Sequence, residues 1–289
     1  MKKCIYVVGV LSLCMFLSYA GAGKPQPPKF ILLSSTIGPI DAGIVGLLED
    51  EFEKETGIRV RHVGAGTGAA LKIAEQGTVD LVLVHAKALE EKFVKGGFGT
   101  ERIALMYNDF VVVGPTDDPA GIKGMEKAAD ALKRISEAGA IFISRGDKSG
   151  THVAELDLWG KAGIKPSGSW YVVYEKGSEG NVPTLNFANQ KRAYTLIDRA
   201  TFLTLQKEIQ LVVLVEKDEA LLNYISLIPM NPQKFPRVNY EETMTFVRWL
   251  TSPDKGQKII RDFGKDQYGS PLFFPDSKEW KSVKGKDSY

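Results

Sequence analysis

The residues of this chain best suited to bind a ligand are hydroxyl and glycine residues that follow apolar runs, together with one arginine. The segment 141–164, IFISRGDKSGTHVAELDLWGKAGI, contains both kinds. Its start, Ile141–Ile143, has the composition of a strand, and turn formers and a helix start follow it. A helix start presents unpaired backbone N–H groups and the positive end of the helix dipole, and both favour an oxyanion. The candidate ligands in this segment are Arg145, Ser149, Gly150 and Thr151.

Apolar spacing predicts the helix that follows this turn. Val153, Leu156 and Trp159 recur at helical intervals and predict its buried face, and Gly163 predicts its end. Ser149 is a favourable N-cap. The same pattern also fits a strand-to-helix turn that binds nothing, in which Ser149 only caps the helix.

Two more clusters of this composition follow predicted strands. A run of hydroxyl residues comes after the strand 30–33, and the glycine-rich loop 64–68 comes after the strand 58–63. The loop has the spacing G-x-G-x-G, which departs from the dinucleotide fingerprint, and no Walker lysine follows it. Its N–H groups could line an anion pocket, but a tight turn without a ligand fits equally well. The candidate ligands in these clusters are Ser34, Ser35, Thr36, Thr67 and Gly68.

Metal and nucleophilic chemistry have little support in the sequence. His62, His85 and His152 lack the His-x-His or His-x-x-x-His spacing of metal ligands, so no metal site is predicted. The G-x-S-x-G elbow of serine hydrolases is absent. Ser149 and His152 share one turn, but capping and packing explain that pair better than catalysis. We therefore expect no cofactor and no enzymatic activity.

The order of the elements indicates how these residues are positioned. Three successive strand-to-helix units before residue 97 predict the α/β class, with a parallel sheet and helices on both faces. In such sheets, ligands gather at the carboxyl ends of the strands, where all three clusters are predicted to lie. Farther along we predict a loop at 177–183, a helix at 240–251 and a frayed polar tail from Lys278. A pocket of hydroxyls, backbone amides and one guanidinium suits a small oxyanion.

The first residues predict export. Residues 1–22 combine a basic start, an apolar core and a small-residue cleavage pattern, as in a secretory signal peptide, and a proline-rich linker follows at 23–28. Cys14 could in principle carry a lipid, but Leu13 stands where a small residue would be expected, so no membrane anchor is predicted. Cleavage would remove both cysteines and therefore any disulfide or thiolate chemistry. The location predicted from these features is the periplasm.

Charge gives no support for nucleic-acid binding. Of 37 Lys and Arg residues, cleavage would remove Lys2 and Lys3, which leaves 35 against 35 acidic residues. A formally neutral chain is not drawn to nucleic acid or to an anionic membrane surface.

Several segments resemble the tungstate-binding proteins of bacterial ABC importers, which are related to the molybdate and phosphate binders. The resemblance covers roughly residues 30–275 and is most specific around Arg145–His152. Its motifs are EFEKETGIRVRHVGAGTGAALKIAEQGTVDLVLVHA, MYNDFVVVGPTDDPAGIKGM, FISRGDKSGTHVAELDLW, FANQKRAYTLIDRATFL and VNYEETMTFVRWLTSPDKGQKII.

This resemblance implies a two-lobed periplasmic binding fold of type II. Each lobe would hold a mixed, mostly parallel sheet flanked by helices, and two crossover strands would form the hinge. Lobe 1 would comprise residues 29–113 plus 209–289, and lobe 2 residues 114–208. The ligand would be trapped between the lobes, with Arg145 and the helix start Ser149–Thr151 carried over as ligand residues.

The sequence departs from the family pattern in the first half of the site. Asp41–Gly43 stands for Asp-Ser-Gly, and Ile37–Pro39 lies where most of the hydroxyl ligands are usual. Of the hydroxyl ligands that are usual there, Thr36 remains in this sequence. Ser34 and Ser35 would take such a place only if the alignment is shifted. The stretch Glu179–Pro183 replaces the usual Gly-Met-Gly-like sequence.

The leading hypothesis is a monomeric periplasmic protein that captures tungstate or molybdate and delivers it to an ABC importer permease. A diverged binder of another small anion, such as a carboxylate, a phosphonate or phosphate, is the first alternative. A secreted hydrolase that uses Ser149 and His152 is the second.

Overall fold

The computed structural model describes residues 30–284. The predicted signal peptide, 1–22, and the linker, 23–28, lie outside these residues.

Ten strands belong to one connected network of pairings in this part of the chain. They are β1 (Phe30–Thr36), β2 (Arg59–Ala65), β3 (Leu81–Val84), β4 (Ile103–Pro115), β5 (Phe142–Ser144), β6 (Tyr171–Val173), β7 (Tyr194–Asp198), β8 (Leu211–Val215), β9 (Leu222–Pro229) and β10 (Phe274–Pro275).

The helices alternate with these strands in the first half and gather near the end. They are α1 (Ile37–Asp41), α2 (Ile44–Thr56), α3 (Thr67–Ala74), α4 (Lys87–Lys95), α5 (Ala128–Glu137), α6 (Gly150–Lys161), α7 (Asn181–Lys191), α8 (Arg199–Leu205), α9 (Tyr240–Thr251), α10 (Gly256–Asp262), α11 (Lys265–Tyr268) and α12 (Lys278–Lys284).

The strands form two mixed sheets that share β4. In the first sheet β1 pairs in parallel with β2 and β3, and β3 and β4 each pair antiparallel with β9. In the second, β5 pairs in parallel with β6 and β7, and β4 pairs antiparallel with β7 and β8. The α/β class with mixed sheets flanked by helices is therefore confirmed, as is the parallel pairing of the first three strands.

The strand β4 changes sheets along its length. Ile103–Asp109 pairs with β9, whereas Phe110–Val113 pairs with β7. Each sheet has its own apolar core. Phe52, Leu81 and Phe246 lie in a core of the first sheet, and Phe142 and Trp159 lie in a core of the second.

Helix α2 illustrates why the sequence folds as it does. Ile44, Leu48 and Phe52 recur at helical spacing, are buried, and face the first core. The helix stops at Gly57, whose φ of +71° is a left-handed conformation that glycine adopts at little cost.

An arginine joins the segments that connect the two sheets. Arg199, at the start of α8, contacts Asp109 in β4 with Nη2–Oδ2 at 2.6 Å and Glu216, directly after β8, with Nη2–Oε2 at 2.8 Å. Asp109 is buried, so this bidentate pair neutralises a carboxylate that would otherwise be costly at that position.

Four local predictions are wrong. The buried face of α6 is Thr151, Glu155, Leu158 and Trp159, whereas Val153 and Leu156 are exposed, because α5 and β7 pack against the other side. The first strand is predicted to end at residue 33, but β1 includes the hydroxyl run, since pairing with β2 continues to Thr36.

The other two errors concern helices that begin where loop or tail was predicted. Helix α7 begins at Asn181, inside the predicted loop 177–183, and Pro183 is tolerated in its first turn. Residues 278–284 of the predicted frayed tail form helix α12, and the rest of that tail lies outside the described residues. The buried side chain of Trp280 anchors α12, and the backbone N–H of Trp280 donates to Ser277 Oγ at 3.0 Å. The predicted helix at 240–251 is confirmed as α9.

Candidate functional site

Arg145 lies directly after β5 and is held by three partners. Its Nε donates to Gly177 O at 3.1 Å, its Nη1 donates to Asn181 Oδ1 at 2.5 Å, and its Nη2 lies 2.8 Å from Asp147 Oδ2. The side chain is 14% exposed. These contacts fix the plane of the guanidinium and leave one N–H on each terminal nitrogen for another acceptor.

Two glycines allow this close packing. A Cβ on Gly177 would lie 1.8 Å from the carbonyl oxygen of Arg145, so only glycine fits there. Gly146 has a φ of +68°, and a Cβ on it would lie 2.2 Å from Val173 Cγ1. The turn around Arg145 is therefore determined by tertiary contacts and not by its own sequence alone.

Asp147 connects the arginine to the start of α6. One carboxylate oxygen pairs with Arg145, and the other accepts from Ser149 N at 3.1 Å. A carboxylate in this position compensates the positive charge of Arg145 and caps the chain just before the helix. Contacts within the chain thus organise the turn.

The start of α6 provides backbone donors. Ser149 is the N-cap, and its Oγ accepts from His152 N at 3.4 Å. Gly150 and Thr151 are the first helical residues, so their N–H groups have no acceptor within the helix. Thr151 Oγ1 donates to Asn181 Oδ1 at 3.1 Å, which turns that hydroxyl toward the arginine network.

Asn181, at the first position of α7, is the centre of this network and was missed in the sequence. Its Oδ1 accepts from Arg145 and from Thr151, and its Nδ2 donates to Asp198 Oδ2 at 2.6 Å. Asp198 also caps α8 by accepting from Thr201 N at 2.9 Å. A helix-starting Asn beside Pro183 is the only local signal, and it does not reveal a contact 36 residues away in the chain.

The first sheet contributes two buried hydroxyls. Thr36 ends β1 and Thr67 begins α3, and Thr36 pairs in register with Ala65, two residues before Thr67. Within residues 30–284, neither Oγ1 has a hydrogen-bond partner. A buried hydroxyl without a partner costs about 1–3 kcal/mol, so these two groups are suited to meet a bound ligand. Gly68 follows as the second residue of α3.

Ser34 and Ser35 are differently placed. Both are fully buried, and their hydroxyls donate to backbone carbonyls, Ser34 to Ala70 O and Ser35 to Thr36 O, each at 3.2 Å. Their protons are therefore already used by backbone carbonyls of the chain. The segment Ile37–Pro39 is part of the short helix α1 and offers no hydroxyl.

One residue of the first sheet reaches the helix start of the second. His85 follows β3, which lies between β1 and β9 in the sheet. Its ring lies against Gly150, since a Cβ there would be 2.0 Å from His85 Cε1. The charge environment agrees with this proximity. Burial and the charge of Asp198 raise the pKa of Asp41 above its usual value, and the charge of Arg145 opposes the rise.

The structure thus brings together part of the predicted set. Arg145 and the α6 start form one cluster with Asn181, and Thr36 and Thr67 form another at the strand ends of the first sheet. His85, which follows β3 of the first sheet, contacts the first residue of α6. Asn181 and His85 are the residues that sequence reasoning missed.

The geometry of Ser149 and His152 does not resemble a nucleophile and its base. Ser149 Oγ meets the backbone of His152, whereas His152 Nδ1 accepts from Lys148 N at 2.9 Å. Burial also lowers the pKa of His152. In the described segment, no three His, Cys, Asp or Glu side chains form a group that could hold a metal ion.

Two surface depressions lie away from these clusters. One lies between α2, α9 and α10 and includes Lys54, Glu55 and Lys255, and the other includes Lys123–Lys127 and Lys217. Their charged linings are partly exposed, and the first contains the ion pair between Lys255 and Glu55. The arrangement of polar groups around Arg145 and the two threonines therefore identifies the candidate site, and the position of the surface depressions does not. Between residues 30 and 284, no helix is both long and apolar enough to cross a membrane.

The fold and the polar clusters describe a binding protein of the PBP class, and comparison with known families agrees. The model of the PBP superfamily domain matches residues 23–254.

Individual relatives specify the family. Over 257 residues the chain is 44% identical to the tungstate-binding protein TupA of Peptoclostridium acidaminophilum, with 88% of each chain covered. It is 41% identical to the solved TupA of Desulfovibrio alaskensis G20, with a TM-score of 0.78 and coverage of 86% of this chain and 100% of that chain. It is also 45% identical to the solved chain of the tungstate ABC transporter from Geobacter sulfurreducens, with a TM-score of 0.73 and coverage of 82% of this chain and 100% of that chain. The chain therefore belongs to the TupA family of tungstate-binding proteins, as its sequence motifs predicted.

Proposed function

We propose that this protein captures tungstate, or the similar molybdate ion, and delivers it to an ABC importer. One observation carries the proposal: the buried, unpartnered hydroxyls of Thr36, at the end of β1, and Thr67, at the start of α3, belong to the same half of the protein as His85. His85 in turn contacts the start of α6, next to the turn that holds Arg145. The relatives named for tungstate binding support the choice of ion.

Neutral donors and one cation would bind the ion together. The proposed contacts come from the two remaining N–H groups of Arg145, the amides at the starts of α6 and α3, and the two threonine hydroxyls. Hydrogen bonds to a charged partner are worth about 1.5–3 kcal/mol each, so a few of them suffice for tight capture. The proposed ligand residues are Arg145, Ser149, Gly150, Thr151, Thr67, Gly68 and Thr36, with Ser34 and Ser35 as supporting neighbours.

We propose that the two sheets are the two lobes of a hinged protein. The crossovers would be β4, at Asp109–Phe110, and the connection from β8 to β9. Because β8 pairs with β4 in the second sheet and Leu221 packs in its core, this lobe would extend to about residue 221, beyond the boundary at 208 expected from the sequence. Closure around the ion would remove it from water, which strengthens every polar contact to it.

A second candidate is a protonated anion, such as hydrogen phosphate or a phosphonate. Asp41 favours it, because its carboxylate lies close enough to Arg145 for the two charges to interact and would accept from a ligand hydroxyl. A fully ionised tungstate needs no acceptor, and an additional carboxylate would only repel it.

Calorimetric titration of the exported protein with tungstate, molybdate, sulfate and phosphate separates these candidates. We expect submicromolar binding of tungstate, which Arg145→Ala abolishes. Arg192→Ala is the matched control, because Arg192 makes only an exposed pair with Asp117, and it should bind as the wild type does. Preference for phosphate would favour the second candidate, and no binding of any of the four ions would refute the function.

The remaining properties are also proposals. The protein would be exported to the periplasm, free of a membrane anchor, monomeric, and without catalytic activity. Light scattering after gel filtration tests the monomer, and hydrolysis of an ester and phosphoester panel would overturn the assignment as a binder alone.

A further inference from the structure

The contact between His85 and Gly150 joins residues that come from different sheets. His85 lies one residue beyond the end of β3, and Gly150 is the first residue of α6. The imidazole occupies the space that a side chain at position 150 would need, since a Cβ there would lie 2.0 Å from Cε1, 2.8 Å from Nε2 and 3.1 Å from Nδ1.

The imidazole is itself anchored. The side chain of Asn223, in β9, hydrogen-bonds to it, and Asn223 Nδ2 donates to Asn108 Oδ1, in β4, at 2.7 Å. The ring is therefore supported by the two strands that lead into the proposed hinge. Burial lowers the pKa of His85, so the ring is neutral near pH 7 and adds no charge beside the helix start.

We infer that His85 is a positioning residue for anion capture, which seats the N-terminus of α6 against the first sheet when the lobes close. This inference rests on the proposed function. The ring nitrogens are engaged by Asn223 and by the backbone of His85, and the Cε1 edge faces Gly150. The ring therefore fixes the distance between the α6 amides and the threonine hydroxyls and does not itself bind the anion.

The contact between His85 and α6 also requires glycine at position 150, because a side chain there would overlap the ring. Alanine retains the backbone N–H that would bind the anion, and the methyl group that it adds overlaps the ring of His85. Gly160→Ala is the matched control on the same helix, because nothing lies within 4 Å of a Cβ at that position.

The test measures tungstate affinity by calorimetry for the wild type, both glycine variants, His85→Ala and the double variant His85→Ala with Gly150→Ala. We expect Gly150→Ala to weaken binding about 10- to 100-fold, because a forced overlap in a packed site costs on this scale. Gly160→Ala should have no effect. In the His85→Ala background, Gly150→Ala should cost no further affinity, because the overlap has been removed.

Closure itself provides a second readout. The segment expected after cleavage lacks cysteine, so Lys95→Cys in α4 and Lys133→Cys in α5 place one fluorophore on each proposed lobe at exposed positions. Tungstate should shorten the distance between the labels in the wild type and much less in Gly150→Ala. Melting temperatures of all variants show that each is folded.

Failure of this inference is distinct from failure of the function. Wild-type protein that binds none of the four anions rejects the function. Tight wild-type binding together with an unchanged Gly150→Ala, or with strictly additive losses in the double variant, rejects the role of His85.

Discussion

Replacing Asn181 by alanine should weaken both the fold and the anion site, because this side chain connects three polar groups. The change removes bonds to two charged partners, Arg145 at 2.5 Å and Asp198 at 2.6 Å, and one bond to the hydroxyl of Thr151 at 3.1 Å. Asn181 is only half-buried, so the lower end of the usual range applies. We expect a loss of about 3 kcal/mol in the free energy of unfolding.

The loss of affinity can be worked out separately. Without Asn181, one of the contacts that fix the guanidinium of Arg145 is missing, and the side chain must be ordered when the anion binds. Ordering an arginine side chain costs up to about 1.5–2 kcal/mol. The dissociation constant for tungstate should therefore rise about 10- to 30-fold.

Urea denaturation measures the first quantity and calorimetric titration the second. Asn186→Ala is the control, because Asn186 is exposed on the same helix. Wild-type affinity in Asn181→Ala would refute the argument that this residue orders the arginine. Equal destabilisation by the two variants would show that helix propensity, and not the network, sets the effect.

Three further predictions concern stability. Burial raises the pKa of Glu155 from 4.5 to about 7. Between these pH values the folded state holds a proton that the unfolded state lacks, so the free energy of unfolding should fall as the pH rises from about 4.5 to about 7. Urea denaturation at several pH values measures this slope, and Glu155→Gln should remove that part of it. Arg199→Ala leaves the buried carboxylate of Asp109 without its partner and should lower the free energy of unfolding by about 3 kcal/mol in urea denaturation. Arg199→Lys should restore little of this, because lysine cannot make the bidentate contact. A loss below about 1 kcal/mol in Arg199→Ala would contradict the argument. Trp280→Ala should cost about 3 kcal/mol in the same assay, because Trp280 anchors α12 and is 5% exposed, whereas Lys278→Ala on that helix should be neutral.

The sequence predicts local features of the site better than its tertiary ones. Turn formers, a cap and a helix start follow one another within the segment 144–151, so this cluster is predictable from neighbours in the chain. The roles of Asn181 and His85 arise only when distant segments pack together, so no local sequence pattern predicts them. Thr36 belongs to a strand end because its pairing with β2 continues to that residue, whereas the apolar run alone predicts that the strand ends at Leu33.

The error on α6 has a similar origin. Apolar spacing favours the face of Val153 and Leu156, but the buried face carries Glu155, whose carboxylate accepts from Tyr171 at 2.7 Å and from Trp159 at 3.2 Å. A buried glutamate with two donors is invisible to a pattern that counts only apolar residues.

The path of the chain between the sheets has a consequence for folding. Residues 110–221 supply all the strands of the second sheet, whereas the first sheet needs strands from both sides of that stretch. During synthesis or refolding, the inserted half can therefore form its sheet from its own residues, without waiting for the rest of the chain. The first sheet stays incomplete until β9, about 140 residues downstream of β3, has been formed and pairs with it. We expect this late closure of a long loop to be the slowest step of folding.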